Sequence, residues 1–172
     1  MIFLVGYRAV GKTTLGKKLA REIGADFVDL DRYICEAAGR TVEEIVAVEG
    51  WQGFRLRERE AMLAVAAEER HLVVATGGGA VLHQDLWPML KKKGFVVWLT
   101  AEQGTLCKRL SRRAQDPGRP SLTGQEMSAE VEKVLRERLP LYDAVADVSV
   151  ATDRLSIVDA IEQVLDYYRK TI

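Results

Sequence analysis

The chain has 172 residues, 48% apolar and 29% charged, which is enough for one globular domain and unlike a disordered or fibrous composition. Lys plus Arg and Asp plus Glu number 25 each, so the broad positive field used for non-specific nucleic-acid or anionic-membrane binding is missing, and neither partner is expected. Two distant cysteines, Cys35 and Cys107, make no CxxC spacing and indicate neither a zinc site nor a disulfide framework, which fits a reducing cytoplasm.

The opening stretch through Val5 is too short for a signal peptide and lacks a basic leader, and no later run approaches the ~20 apolar residues of a membrane span. Ile2 to Val5 therefore reads as a buried strand. Similar runs at Leu72 to Ala75 and Phe95 to Leu99 alternate with helical stretches, the pattern of an α/β domain whose parallel sheet is covered by helices. Leu15, Leu19 and Ile23 recur at helical spacing before Gly24, and Phe27 with Val28 starts a second strand. Thr41 and Glu44 have capping-box spacing and open a helix towards Gly50; a further helix spans Phe54 to Glu69, with Ala61, Met62 and Val65 on one stripe.

Beyond Phe95 the spacing predicts a helix near Glu102 to Arg112. Residues 114–124, with two prolines, two glycines and no apolar period, read as a mobile loop. A helix around Glu126 to Leu139, a strand at Asp147 to Val150 and a last helix from about Leu155 complete the chain. There is no repeat, low-complexity segment or linker, so one domain over residues 1–172 is expected, with a helical insert at about 30–70 and a lid at about 111–124.

Gly6-Tyr-Arg-Ala-Val-Gly11-Lys12-Thr13 matches G-x-x-x-x-G-K-[ST], and it stands between an apolar strand and a periodic helix, the context this motif requires. Such a loop wraps a polyphosphate with backbone N–H groups and a helix N-terminus, its lysine bridges the β- and γ-oxygens, and its hydroxyl ligates magnesium. Gly6, Ala9, Val10, Gly11, Lys12, Thr13 and Thr14 are the candidate nucleotide contacts, and ATP with Mg2+ is the implied cofactor set. The loop alone names no acceptor.

Five features suggest the acceptor side. Asp29 and Asp31 end the second strand at period-two spacing, which would aim both carboxylates at one face, with a helix-capping role for Asp31 as the alternative. Glu58 falls on an otherwise apolar helical stripe with Arg55 three residues earlier, an arrangement suited to presenting an arginine to an anionic ligand; a plain surface pair is the alternative. Arg138 lies on the stripe of Val131 and Val134, pointing either into a site or, as a last-turn cation, at the helix dipole before Pro140. Gly77, Gly78 and Gly79 follow a strand, precede a helix expected to begin near Val81, and present bare backbone, for a ligand or merely for a turn. Arg112, Arg113 and Arg119 decorate the mobile stretch, where a closing arginine could neutralise a transferring phosphoryl group.

Together these residues resemble the shikimate kinase family. The matching pieces are the early P-loop, Asp29-Leu-Asp31, Glu49-Gly-Trp-Gln-Gly-Phe-Arg55 with Glu58, Thr76-Gly-Gly-Gly79, Arg119-Pro120, and Arg138 before Leu141-Tyr142. The resemblance covers essentially the whole chain. It implies a nucleoside-monophosphate-kinase-like fold with a five-stranded parallel sheet in order 2-3-1-4-5, a lid, and ATP-dependent 3-phosphorylation of shikimate on the route to chorismate by a cytoplasmic monomer. It also implies that Asp31 holds the ring hydroxyls and serves as base, that Arg55 and Arg138 clamp the carboxylate beside Gly78 and Gly79, and that Glu58 orients Arg55. By the same resemblance Asp29 sits near magnesium, Arg119 is the lid arginine, and Arg112 and Asp153 border the adenine. Trp51 resembles an aromatic wall beside the substrate, or else packs in the core. Ala9 departs from the family, which commonly has a glycine there, and this bears on nucleotide affinity rather than on reaction type.

Overall fold

The structure, a computed structural model, describes residues 1–113 and 126–171. Five strands form one parallel sheet: β1 (Ile2–Val5), β2 (Asp26–Asp29), β3 (Leu72–Ala75), β4 (Phe95–Thr100) and β5 (Val148–Ala151), in the order β2-β3-β1-β4-β5. Its centre, β1, pairs Phe3 with Val74 on one side and with Val96 on the other. Every residue of β1 and β3 is buried because helices cover both faces, which is why these strands read as unbroken apolar runs without alternation.

Seven helices supply the cover: α1 (Lys12–Glu22), α2 (Leu30–Ala38), α3 (Val42–Ala66), α4 (Trp87–Lys93), α5 (Gln103–Arg113), α6 (Met127–Val145) and α7 (Ile157–Thr171). The core divides into two apolar clusters. One joins α2, α3, α4 and the end of α6 around Phe3, Val5 and Val74; the other joins α1, α5, α7 and the start of α6 around Ile2, Leu4 and Val97. Adjacent β1 residues thus feed opposite clusters, as the two-residue strand period dictates.

Three local readings change. The strand expected to carry both aspartates stops at Asp29, and Asp31 lies in the first turn of α2; the cap is Asp29, whose carboxylate accepts from the N–H groups of Asp31 and Arg32. The two helices expected around Gly50 are borne out as the two stretches of α3, which meet at a kink where Gly50 takes the non-helical φ 68° and ψ 177°. A short 3-10 turn at Ala80–Leu82 replaces the helix expected near Val81, and α4 follows it. Finally, α6 runs through Pro140 to Val145, so Arg138 is not in a last turn and the helix-dipole explanation for it falls away.

The P-loop backbone explains where α1 starts. Gly11 sits at φ 112° and no side chain caps the helix, leaving its first N–H groups open to an anionic ligand. Ala9 is the one non-glycine residue at positive φ among the described residues, at 59°. A Cβ in this region costs ~1–2 kcal/mol, so Ala9→Gly should be neutral to stabilising. Thermal melts should place it up to ~4 °C above the parent, and a fall of several degrees would show that the loop does not strain Ala9.

Candidate active site

The carboxyl ends of β1, β2 and β3 lie side by side, so the loops that follow them share one edge of the sheet, where open parallel sheets bind ligands. From β1 comes the P-loop. Its Lys12 Nζ donates to the carbonyls of Gly6 and Tyr7 at 2.7 and 2.8 Å, which holds the ammonium over the loop. From β2 comes Asp29, whose Oδ2 accepts from the Thr13 hydroxyl at 2.7 Å while Oδ1 caps α2. Two hard oxygens thus meet at the edge of the phosphate loop. Among the described residues no cluster of three or more His, Cys, Asp or Glu could hold a metal by itself. That donor set fits magnesium, which takes few protein ligands and completes its shell with substrate phosphates and water.

Beside the phosphate loop is a cleft bordered by Asp31, Trp51, Arg55, Glu58, the Gly78-Gly79 backbone and Arg138, with Arg8 of the P-loop at its rim. Glu58 has no solvent exposure, and its Oε2 accepts from Arg55 Nη1 at 2.5 Å. Burial pushes the Glu58 carboxyl up, but the hydrogen bond from His83 and the charge and hydrogen bond of Arg55 outweigh it and hold the group below the usual carboxylate range. Arg138 is only 7% exposed, and its Nη1 donates to the Gly78 carbonyl at 2.8 Å. Both guanidinium groups therefore face the cleft and not bulk water.

Two of the three glycines are approached closely by side chains. A Cβ on Gly79 would fall inside the Arg55 guanidinium, and one on Gly77 would run into Glu58 Oε1 with Asp31 Oδ1 close behind. Close approach by the chain's own side chains thus accounts for bare backbone at these two positions. Trp51 meets Phe54 edge to face at 5.8 Å and lies 5.5 Å from the Arg55 guanidinium, so it packs in the core and walls the cleft at once.

The assignments nearest the adenine fare differently. Arg112 is exposed on α5. Arg109, one turn earlier, instead donates to the carbonyls of Val10 and Thr152 at 3.2 and 2.9 Å, and the Thr152 hydroxyl donates to Val10 at 2.7 Å. Asp153 accepts from the Glu102 N–H at 2.7 Å, which joins the end of β5 to the start of α5. Arg119 and the expected lid lie outside the described residues.

A family model described as shikimate kinase matches residues 8–170. The chain belongs to the shikimate kinase family. The "Shikimate kinase 2" of Dickeya chrysanthemi is 49% identical over 145 residues, covering 84% of this chain and 83% of that relative. A "Shikimate kinase 2" of Yersinia pestis strain Pestoides F is 45% identical over 165 residues, covering 95% and 92%. Among solved structures, the shikimate kinase of Acinetobacter baumannii in complex with shikimate superposes with a TM-score of 0.89 at 33% identity over 99% of this chain and 93% of that one. A gluconokinase from Sinorhizobium meliloti, at 15% identity and a TM-score of 0.60 over 99% and 91%, shares the fold alone.

Several residues of this shikimate kinase family member escaped the sequence reading. Arg8 pairs with Glu130, which is buried on α6, across 122 positions of sequence. Tyr142 donates to the Gly78 carbonyl at 2.6 Å and stacks on Trp98 at 5.9 Å; burial pushes its phenol up to about 12. Only the anomaly of a charge on an apolar stripe could have pointed to Glu130, which sits one position before Val131.

The depressed Glu58 carboxyl sets a pH dependence of stability. Its folded value lies below the ordinary 4.5, so the stabilisation is complete above that pH and is lost as pH falls through the folded value. Glu58→Gln should lower stability by roughly 2 kcal/mol at pH 7, or about 4–8 °C in Tm, and the gap should close on acidification below about pH 4.5. A gap that stays constant down to pH 3 would mean that the Glu58 charge contributes nothing.

Proposed function

We propose that this protein transfers the γ-phosphoryl group of ATP to the 3-hydroxyl of shikimate, giving shikimate 3-phosphate and ADP. The observation that carries this reading is the convergence of two arginines, Arg55 held by Glu58 and Arg138 held by the Gly78 carbonyl, on a cleft that opens beside the P-loop. Two planar forks around one small cleft are suited to grip a carboxylate with fixed orientation, which a lysine would not supply.

With the acid gripped there, Asp31 faces its hydroxyl groups, and its carboxylate accepts the proton as the acceptor oxygen forms a bond to the γ-phosphorus. The bond from that phosphorus to the β,γ-bridging oxygen breaks and ADP departs. Because phosphoryl-transfer transition states are loose, orientation by Asp31 matters as much as its basicity. The P-loop N–H groups and Lys12 hold the phosphates in line with the acceptor. Magnesium, when bound with the nucleotide at Thr13 and Asp29, neutralises phosphate charge. No described helix is long and apolar enough to cross a membrane, and we read the protein as a cytoplasmic monomer acting on small molecules.

In a coupled ADP-release assay, shikimate should be phosphorylated far faster than gluconate or AMP. Arg138→Ala or Arg55→Ala should cut kcat/KM for shikimate by ~10–100-fold, the value of a charged hydrogen bond, while leaving the KM for ATP within a few-fold. Comparable turnover of gluconate, or unchanged shikimate kinetics in both variants, would reject the assignment of the acceptor.

Trp51 offers a second test, since it borders the cleft within 5.5 Å of Arg55. Shikimate binding should change the intrinsic fluorescence, and Trp51→Phe should abolish the change. An identical response in the variant would move the signal to Trp87 or Trp98.

A further inference from the structure

We propose that His83 is a positioning residue of the carboxylate clamp: by donating from Nε2 to Glu58 Oε2 it confines Glu58 to a one-point contact with Arg55, leaving the rest of the guanidinium turned to the cleft. The inference rests on the reading of that cleft as the shikimate site.

An arginine beside a lone carboxylate tends to pair through two parallel N–H···O bonds, one to each oxygen. Here the pairing is different. Only Nη1 of Arg55 donates to Glu58, and it shares Oε2 with the His83 ring nitrogen at 3.1 Å. The other oxygen, Oε1, is buried beside Gly77 with no hydrogen-bond partner among the described residues. Two donors on one oxygen rotate the carboxylate out of the geometry that would occupy the Arg55 fork. The glycine at 77 provides the room that Oε1 then needs.

The ring is well placed to impose this. The 3-10 turn at Ala80–Leu82 follows the glycine triplet directly, the His83 N–H donates to the Ala80 carbonyl at 3.2 Å, and the buried Trp87 indole donates to the same carbonyl at 3.2 Å. The His83 side chain is 12% exposed, so its orientation is set by packing. Other charged or titratable groups nearby are Asp85, paired with Arg59 of α3, and, beyond the glycine triplet, Arg138 and Tyr142 of α6. None of them donates to Glu58. A hydrogen bond to Glu58 also draws on its negative charge, so Arg55 is less fully neutralised before substrate arrives.

Steady-state kinetics separate this role from a merely structural one. His83→Ala should raise the KM for shikimate by ~5–10-fold, the worth of about one hydrogen bond, with the KM for ATP within twofold. His83→Gln, which keeps a neutral N–H donor, should recover most of the loss. Independently of any substrate, 15N NMR of the free wild-type protein should find the His83 proton on Nε2. A shikimate KM within twofold of wild type in His83→Ala, an equal rise for ATP, a glutamine variant no better than alanine, or an unprotonated Nε2 would each overturn the proposal. Wild-type protein that does not phosphorylate shikimate would instead sink the functional reading, and the NMR arm would still decide the His83–Glu58 bond.

Discussion

A carboxylate with no contact to solvent has to be paired, and the pairing of Glu58 arranges the acceptor half of the cleft. Burying such a charge alone would cost several kcal/mol, so Glu58 holds its partners in place as firmly as they hold it. Arg55 is thereby aimed across the Gly79 backbone, His83 is held against the same carboxylate oxygen, and Gly77 and Gly79 must remain bare for the arrangement to close. The net contribution of a buried ion pair to folding is small, and its conformational role is the better reason for its presence here.

The nucleotide half is held by different means. Its loop is braced from behind, where Arg109 and Thr152 satisfy carbonyls at Val10, and from the side, where Arg8 reaches Glu130 on α6. The Thr13–Asp29 bond links this loop to the start of α2, and two residues later α2 carries Asp31 to the cleft. Phosphate machinery and acceptor machinery therefore meet through one short segment, so a shift of β2 would disturb both.

That division also explains why the fold by itself does not name the substrate. The gluconokinase, at 15% identity, shares the fold alone, and one fold hosts many substrates. Under the function proposed here, the acceptor is selected by the side-chain set on α3 and α6 and by the turn after β3.

The pattern of residues alone determined the elements whose signals are local: the buried strands, the P-loop and its helix, the capping box at Thr41, and the three misplaced charges at Glu58, Arg55 and Arg138. The strand order and the acceptor's identity came from family resemblance and not from periodicity. Tertiary structure decided the rest. That Asp29 and not Asp31 caps α2, that α6 passes through Pro140, and that Arg109 braces the loop all depend on which partners packing brings within 3 Å or so. His83 carried no signal of its own, and Tyr142 entered only through the family resemblance, because an isolated histidine or tyrosine says nothing about what it will touch. Their partners lie 25 and 64 residues away, and only the closed sheet brings those stretches together.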